Sequence, residues 1–169
     1  MRSRSLINLG IILLILVINW RVPEETRQKI MARPITELSP AKIHHIAITR
    51  KQSTLSLTKK KDGLWYIDQQ PEVAANETLV RLLLEVAKLK SIKEYPANEL
   101  NLSDIQLNPA LVQLRFNDIK INFGITEQIN GYRYIQIGKQ VHLVKDTGLA
   151  LFSTEAHYFT KGKMPLLNP

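Results

Sequence analysis

The chain has 169 residues, enough for one domain of ordinary size and little besides. Lysine and arginine outnumber aspartate and glutamate 23 to 15, for a net charge of +8, and apolar residues make up 44%, which excludes wholesale disorder. The absence of cysteine excludes disulfide staples, thiolate-bound zinc, thiol catalysis and a lipid-modified N-terminal cysteine.

The N-terminus opens Met1-Arg2-Ser3-Arg4-Ser5 and then turns apolar, with eleven of the thirteen residues at positions 6–18 apolar. Leu6, Ile7, Leu9, Ile11, Ile12, Leu13, Leu14, Ile15, Leu16, Val17, Ile18 and Trp20 are the expected membrane anchor, with Trp20 at headgroup level. As a helix, positions 6–20 would reach roughly 22 Å, short of a hydrocarbon core about 30 Å thick. Snorkelling arginines and local bilayer thinning would make up the difference. A cleaved signal peptide is the rival reading. Asn19-Trp20-Arg21-Val22-Pro23 offers none of the small residues that cleavage needs, so an uncleaved signal-anchor is expected. Arg2 and Arg4 favour a cytoplasmic N-terminus, although Arg21, Arg27, Lys29 and Arg33 lie on the far side. Long C-terminal domains translocate largely regardless of charge, so the expected topology is one pass with the domain outside the cytoplasm.

Positions 21–40 hold Pro23, Pro34 and Pro40 and read as a stalk, with the domain proper expected at 41–169. From Ala41 the pattern has period two: Ile46 and Ile48, then Leu55 and Leu57 across a turn at Lys51-Gln52. Lys59-Lys60-Lys61-Asp62-Gly63 reads as a hairpin tip and Leu64-Trp65-Tyr66-Ile67 as the third strand of a meander.

The period then changes. Asn76 is placed to cap a helix starting at Glu77, whose buried stripe is expected to be Leu79, Leu82, Leu83, Val86 and Leu89. A short strand at 92–95 ends at Pro96, and positions 98–109 read as a crossing loop. Val112, Leu114 and Phe116 alternate, Asn117-Asp118 turns the chain, and Ile119, Ile121, Phe123 and Ile125 return. Asn130-Gly131 starts a second hairpin into a strand at 132–137, and a turn at 138–140 leads to a strand at 141–144. An amphipathic segment at 147–159 is expected to cap the sheet. The predicted fold class is α+β: an N-terminal transmembrane helix, then an antiparallel β-meander domain with one main packed helix. The recurrence of strand, tight turn, strand, turn and aromatic strand suggests an internal duplication.

Several of these stretches together resemble a bacterial family known as domain of unknown function 4340. They are the anchor at Arg4-Ser5-Leu6-Ile7-Asn8-Leu9, Gly63-Leu64-Trp65-Tyr66-Ile67 ahead of a proline, and the helix start at Ala75-Asn76 with Leu82-Leu83 inside it. Ile105-Gln106-Leu107-Asn108-Pro109, Phe123-Gly124 and Tyr134-Ile135-Gln136-Ile137 complete the set, and their order and spacing carry the likeness. The resemblance implies a membrane-tethered periplasmic domain on the bacterial inner membrane, sometimes found beside transport systems of the ATP-binding-cassette type. It implies no catalytic residue.

The candidates for chemistry are few. His44 and His45 would point to opposite faces of a strand and so cannot easily chelate one metal; His142 and His157 lie far off in sequence. Lys59-Lys60-Lys61 reads as a solvated tip. Cations are interspersed with acids and no nucleic-acid motif occurs, so no nucleic-acid partner is expected. Asp62, Asp118 and Asp146 fall at turns, where local backbone bonding explains them. No hydrolase, zinc-protease or phosphate-loop motif is present, and neither cofactor nor metal is expected. Trp65, Tyr66, Tyr132 and Tyr134 would cluster if the two halves pack together, forming core where buried and a partner surface where exposed. The expected function is that of a non-catalytic interaction module or accessory subunit of an envelope assembly. The alternative is a periplasmic domain for a small ligand or glycan, with an enzyme of unrecognised site behind both.

Overall fold

The computed structural model describes residues 33–51, 53–146 and Phe159. The chain divides into two units, Met1–Met31 and Ala32–Pro169, and everything described lies in the second. The predicted anchor at 6–20 is outside the described residues, as is the capping segment at 147–159 apart from Phe159. Among the described residues no helix is long and apolar enough to cross a membrane.

Among the described residues ten strands form one sheet: β1 (Arg33–Pro34), β2 (His45–Arg50), β3 (Ser53–Lys59), β4 (Trp65–Ile67), β5 (Gln70–Ala74), β6 (Lys90–Pro96), β7 (Val112–Phe116), β8 (Ile119–Thr126), β9 (Tyr132–Ile137) and β10 (Gln140–Lys145). Their order is β1-β6-β10-β9-β8-β7-β2-β3-β4-β5, and every pair is antiparallel. Two four-stranded meanders, β2 to β5 and β7 to β10, thus meet first strand to first strand at the β2–β7 pair. Asn117, with φ 51°, makes the turn between β7 and β8 and ties it to the start of β2. Its Oδ1 accepts from the backbone N–H groups of His44 and His45, and its Nδ2 donates to the carbonyl of Lys42. Asparagine suits the site because it tolerates the left-handed conformation that β-branched residues resist.

The helix α1 (Glu77–Glu85), followed by a 3-10 turn at Val86–Lys88, links β5 to β6. Those strands lie eight positions apart in the sheet, roughly 38 Å if it were flat. The nine-residue helix rises only about 13.5 Å, and the flanking residues cannot supply the rest. The sheet therefore curls around the helix, and hydrogen bonds fix both ends of the linkage. Ala75 N–H donates to the Trp65 carbonyl on β4, while Ile35 N–H donates to the Leu89 carbonyl beside β1 and β6. The concave face holds a core of Ile46, Ile48, Leu57, Leu114, Phe116, Ile121, Phe123 and Ile135 against Leu79, Val80, Leu83, Val86, Ala87 and Phe159. Asn76 caps the helix as expected, its Oδ1 accepting from Thr78 and Leu79 N–H at 3.1 and 3.3 Å.

Three expectations are corrected. The stalk does not extend to position 40: Arg33 and Pro34 pair with β6, and Ile35 is only 6% exposed in the core. Pro34 was punctuation in the sequence, but on an edge strand its missing N–H costs no ladder bond. Leu82 is 50% exposed, whereas Val80 and Ala87 are buried. The buried stripe runs i, i+1, i+4, i+7, i+8 from Leu79, rotated from the one predicted, because the curled sheet grips a wide arc of the helix. The first meander also has a fourth strand, β5, whose Gln70, Pro71 and Glu72 are exposed and show no alternation.

Candidate functional site

The convex, outer face of the sheet is built by strict alternation. With Ile46, Ile48, Leu114, Phe116, Ile121, Phe123 and Ile135 committed inward, their neighbours must face out. Register then sets Thr54, Thr49, Gln113, Asn122 and Gln136 side by side on β3, β2, β7, β8 and β9. The amides form a polarised chain. Gln113 Nε2 donates to Asn122 Oδ1 at 3.3 Å, Asn122 Nδ2 faces Gln136 Oε1 at 3.5 Å, and Gln136 Nε2 donates to the Gly138 carbonyl at 3.1 Å. Thr49 and Thr54 share a hydroxyl hydrogen bond at 3.2 Å. The row alongside is Ser56, Ala47, Arg115 and Lys120. Arg115 and Lys120 are exposed, stand directly opposite one another, and form no ion pair among the described residues.

Towards β6 the same face closes over. Val141 and Leu143, which alternate outward from the main core, are buried, and so is Leu107 of the β6–β7 connection. That connection rests on β8: Ile125 N–H donates to the Ile105 carbonyl at 3.0 Å, and a side chain at Gly124 would collide with Ile105 and Leu107. At this end Lys93 Nζ lies 4.8 Å over the Tyr95 ring, and burial pushes the Tyr134 hydroxyl above its ordinary pKa. Arg133 clamps the corner, donating through Nε and Nη2 to Asp146 Oδ2 and through Nη1 to the Gly124 carbonyl. Thr126 donates to the same carboxylate oxygen at 2.6 Å, so Asp146 joins strand ends and not only its own turn.

The four aromatic residues expected to cluster do not meet. Trp65 and Tyr66 sit on β4, Tyr132 and Tyr134 on β9, with β3, β2, β7 and β8 between them, roughly 24 Å along the sheet. The two halves pack through their first strands, whereas the aromatics lie on their third. Trp65 is core, at 8% exposed, while Tyr66 faces out and donates to Asp62 Oδ2 at 2.8 Å with Lys60 Nζ 3.8 Å above its ring. Asp62 also accepts from Leu64 N–H, and these two hydrogen bonds hold its carboxyl below the usual carboxylate range. His45 Nε2 stands 3.7 Å from Asp68 Oδ2 on the outer face, and among the described residues no three potential metal ligands converge.

Two polar groups take their surroundings from the fold alone. His142, on the inner face of β10, places Nδ1 3.2 Å from Ser91 Oγ and 3.7 Å from Glu94 Oε1 of β6. Burial pushes its pKa down, partly countered by Glu94. Hydroxyl and carboxylate address the same ring nitrogen, whereas a relay through imidazole needs them on opposite nitrogens; Ser91 also donates to the Lys93 carbonyl. The trio fastens β6 to β10. Arg50, at the end of β2, has Nε and Nη2 buried without a hydrogen-bond partner among the described residues, and burial lowers its pKa. No sequence signal marks either group, because both depend on pairings and burial set by the whole sheet.

No family model, curated protein or solved structure matches the chain.

Proposed function

We propose that this chain is a membrane-anchored periplasmic interaction module, an accessory subunit of an envelope assembly that works by binding and not by catalysis. The observation that carries the reading is the outer face of the sheet. Its amides are held in one orientation by hydrogen bonds, and its exposed cations, Arg115 and Lys120, are unpaired among the described residues. Small ligands are ordinarily taken in concave sites that bury most of their surface, which this convex face does not offer. The anchor rests on the apolar run at 6–20. The link to an ATP-binding-cassette transport system rests on the resemblance to the domain of unknown function 4340 family alone. The back-to-back meanders are the products of an internal duplication, a reading supported by the shared order of strands on either side of the β2–β7 pair.

Affinity purification from mild-detergent membranes tests the proposal, comparing the full chain with an exported version beginning at Arg21. Partners recovered reproducibly with both would place the contact on the domain. A clean, partnerless protein from both would overturn it.

A further inference from the structure

Cross-strand neighbours of like charge destabilise a sheet, and opposite charges at the same positions would stabilise it. Arg115 and Lys120 nevertheless face each other on the central strands β7 and β8. Asp118, in the turn between them, makes no ion pair with either. On β2 the next residue in the row is Ala47, too short to screen the guanidinium. On the neighbouring row Gln113 and Asn122 retain free donor and acceptor capacity after their mutual hydrogen bond, since a primary amide carries two N–H groups and two lone pairs. Charge complementarity asks for anions here, and the amides ask for a partner that both donates and accepts, as peptide groups do. Convexity excludes an occupant that must be enclosed.

We infer that the face bearing Arg115, Lys120, Gln113 and Asn122 docks an acidic polypeptide segment of a partner protein. The inference deepens the interaction-module reading and rests on it, since it names the chemistry of that module's partner.

The test uses the full chain in mild-detergent micelles, with poly-L-glutamate as the probe and two competing arms, a polyuronate chain and anionic phospholipid vesicles. Arg115→Glu turns the like-charged pair into an attractive one, so it leaves folding intact while removing the anion site. Lys61→Glu, at the β3–β4 tip, makes the same change in net charge elsewhere. Poly-L-glutamate affinity should fall about tenfold in Arg115→Glu, stay within about twofold of wild type in Lys61→Glu, and exceed the affinity for either competing arm. Equal losses in the two variants would reduce the effect to net charge and overturn the inference, and so would tighter binding of polyuronate or vesicles. Because the probe requires no native partner, an empty membrane purification and a failed titration are separate failures.

Discussion

Gly124→Ala should destabilise the domain by about 3 kcal/mol. An added Cβ would lie 2.2 Å from the Ile105 carbonyl oxygen and 3.1 and 3.2 Å from the Leu107 side chain. Carbon–oxygen contacts in sheets settle near 3.3 Å or more, so the β6–β7 connection must lift by about 1 Å. Overpacking of this kind typically costs about 1–3 kcal/mol. Lifting also strains the Ile125 N–H bond to the Ile105 carbonyl, worth about 0.5–1.5 kcal/mol, and loosens Leu107, now 2% exposed. Against this stands a gain of about 0.4–1 kcal/mol from the stiffer unfolded chain. The net loss corresponds to a fall in Tm of roughly 12 °C at about 4 °C per kcal/mol. Thermal unfolding followed by circular dichroism would measure it. A shift of less than about 3 °C, or a rise, would refute the argument that the connection rests on β8 at this point.

Other perturbations separate the remaining devices. Asn76→Ala should cost about 1 kcal/mol, and Asn76→Ser far less, in the same unfolding assay, because a hydroxyl still caps the helix. His142 carries a folded pKa below its unfolded value of about 6.5, so the unfolded state binds more protons and stability must fall as pH drops below about 6.5. His142→Gln should abolish that component, and parallel pH–stability curves for wild type and variant between pH 7 and 5 would contradict it.

Local chemistry made much of this fold legible. Asn117-Asp118 closes a two-residue turn between alternating runs, so pairing Phe116 with Ile119 fixes Gln113 opposite Asn122 and Arg115 opposite Lys120 by arithmetic alone. The central pair of the candidate surface was therefore within reach of the sequence. Gln136 was not, because β8 is bulged between Phe123 and Thr126, which shifts its register with β9. Nothing local says that β2 pairs with β7, which decides that Trp65 and Tyr134 stay apart. Nor does anything local bring β6 beside β10, where Ser91 meets His142 across 51 positions of sequence. The helix was recognised by its period, yet its buried arc depends on how far the sheet curls, and that left Leu82 in water and Val80 in the core.

Site-specific photo-crosslinking in intact cells tests directly whether the outer face of the sheet docks a partner. A photoreactive residue would replace Gln113 on the outer face and, separately, Ile129, which is 89% exposed in the β8–β9 loop. Membrane fractions should yield a discrete adduct of one higher mass from position 113 and none of that mass from 129. The same adduct from both positions, or none from 113, would contradict the claim that this domain works by docking a partner on the convex face of its sheet.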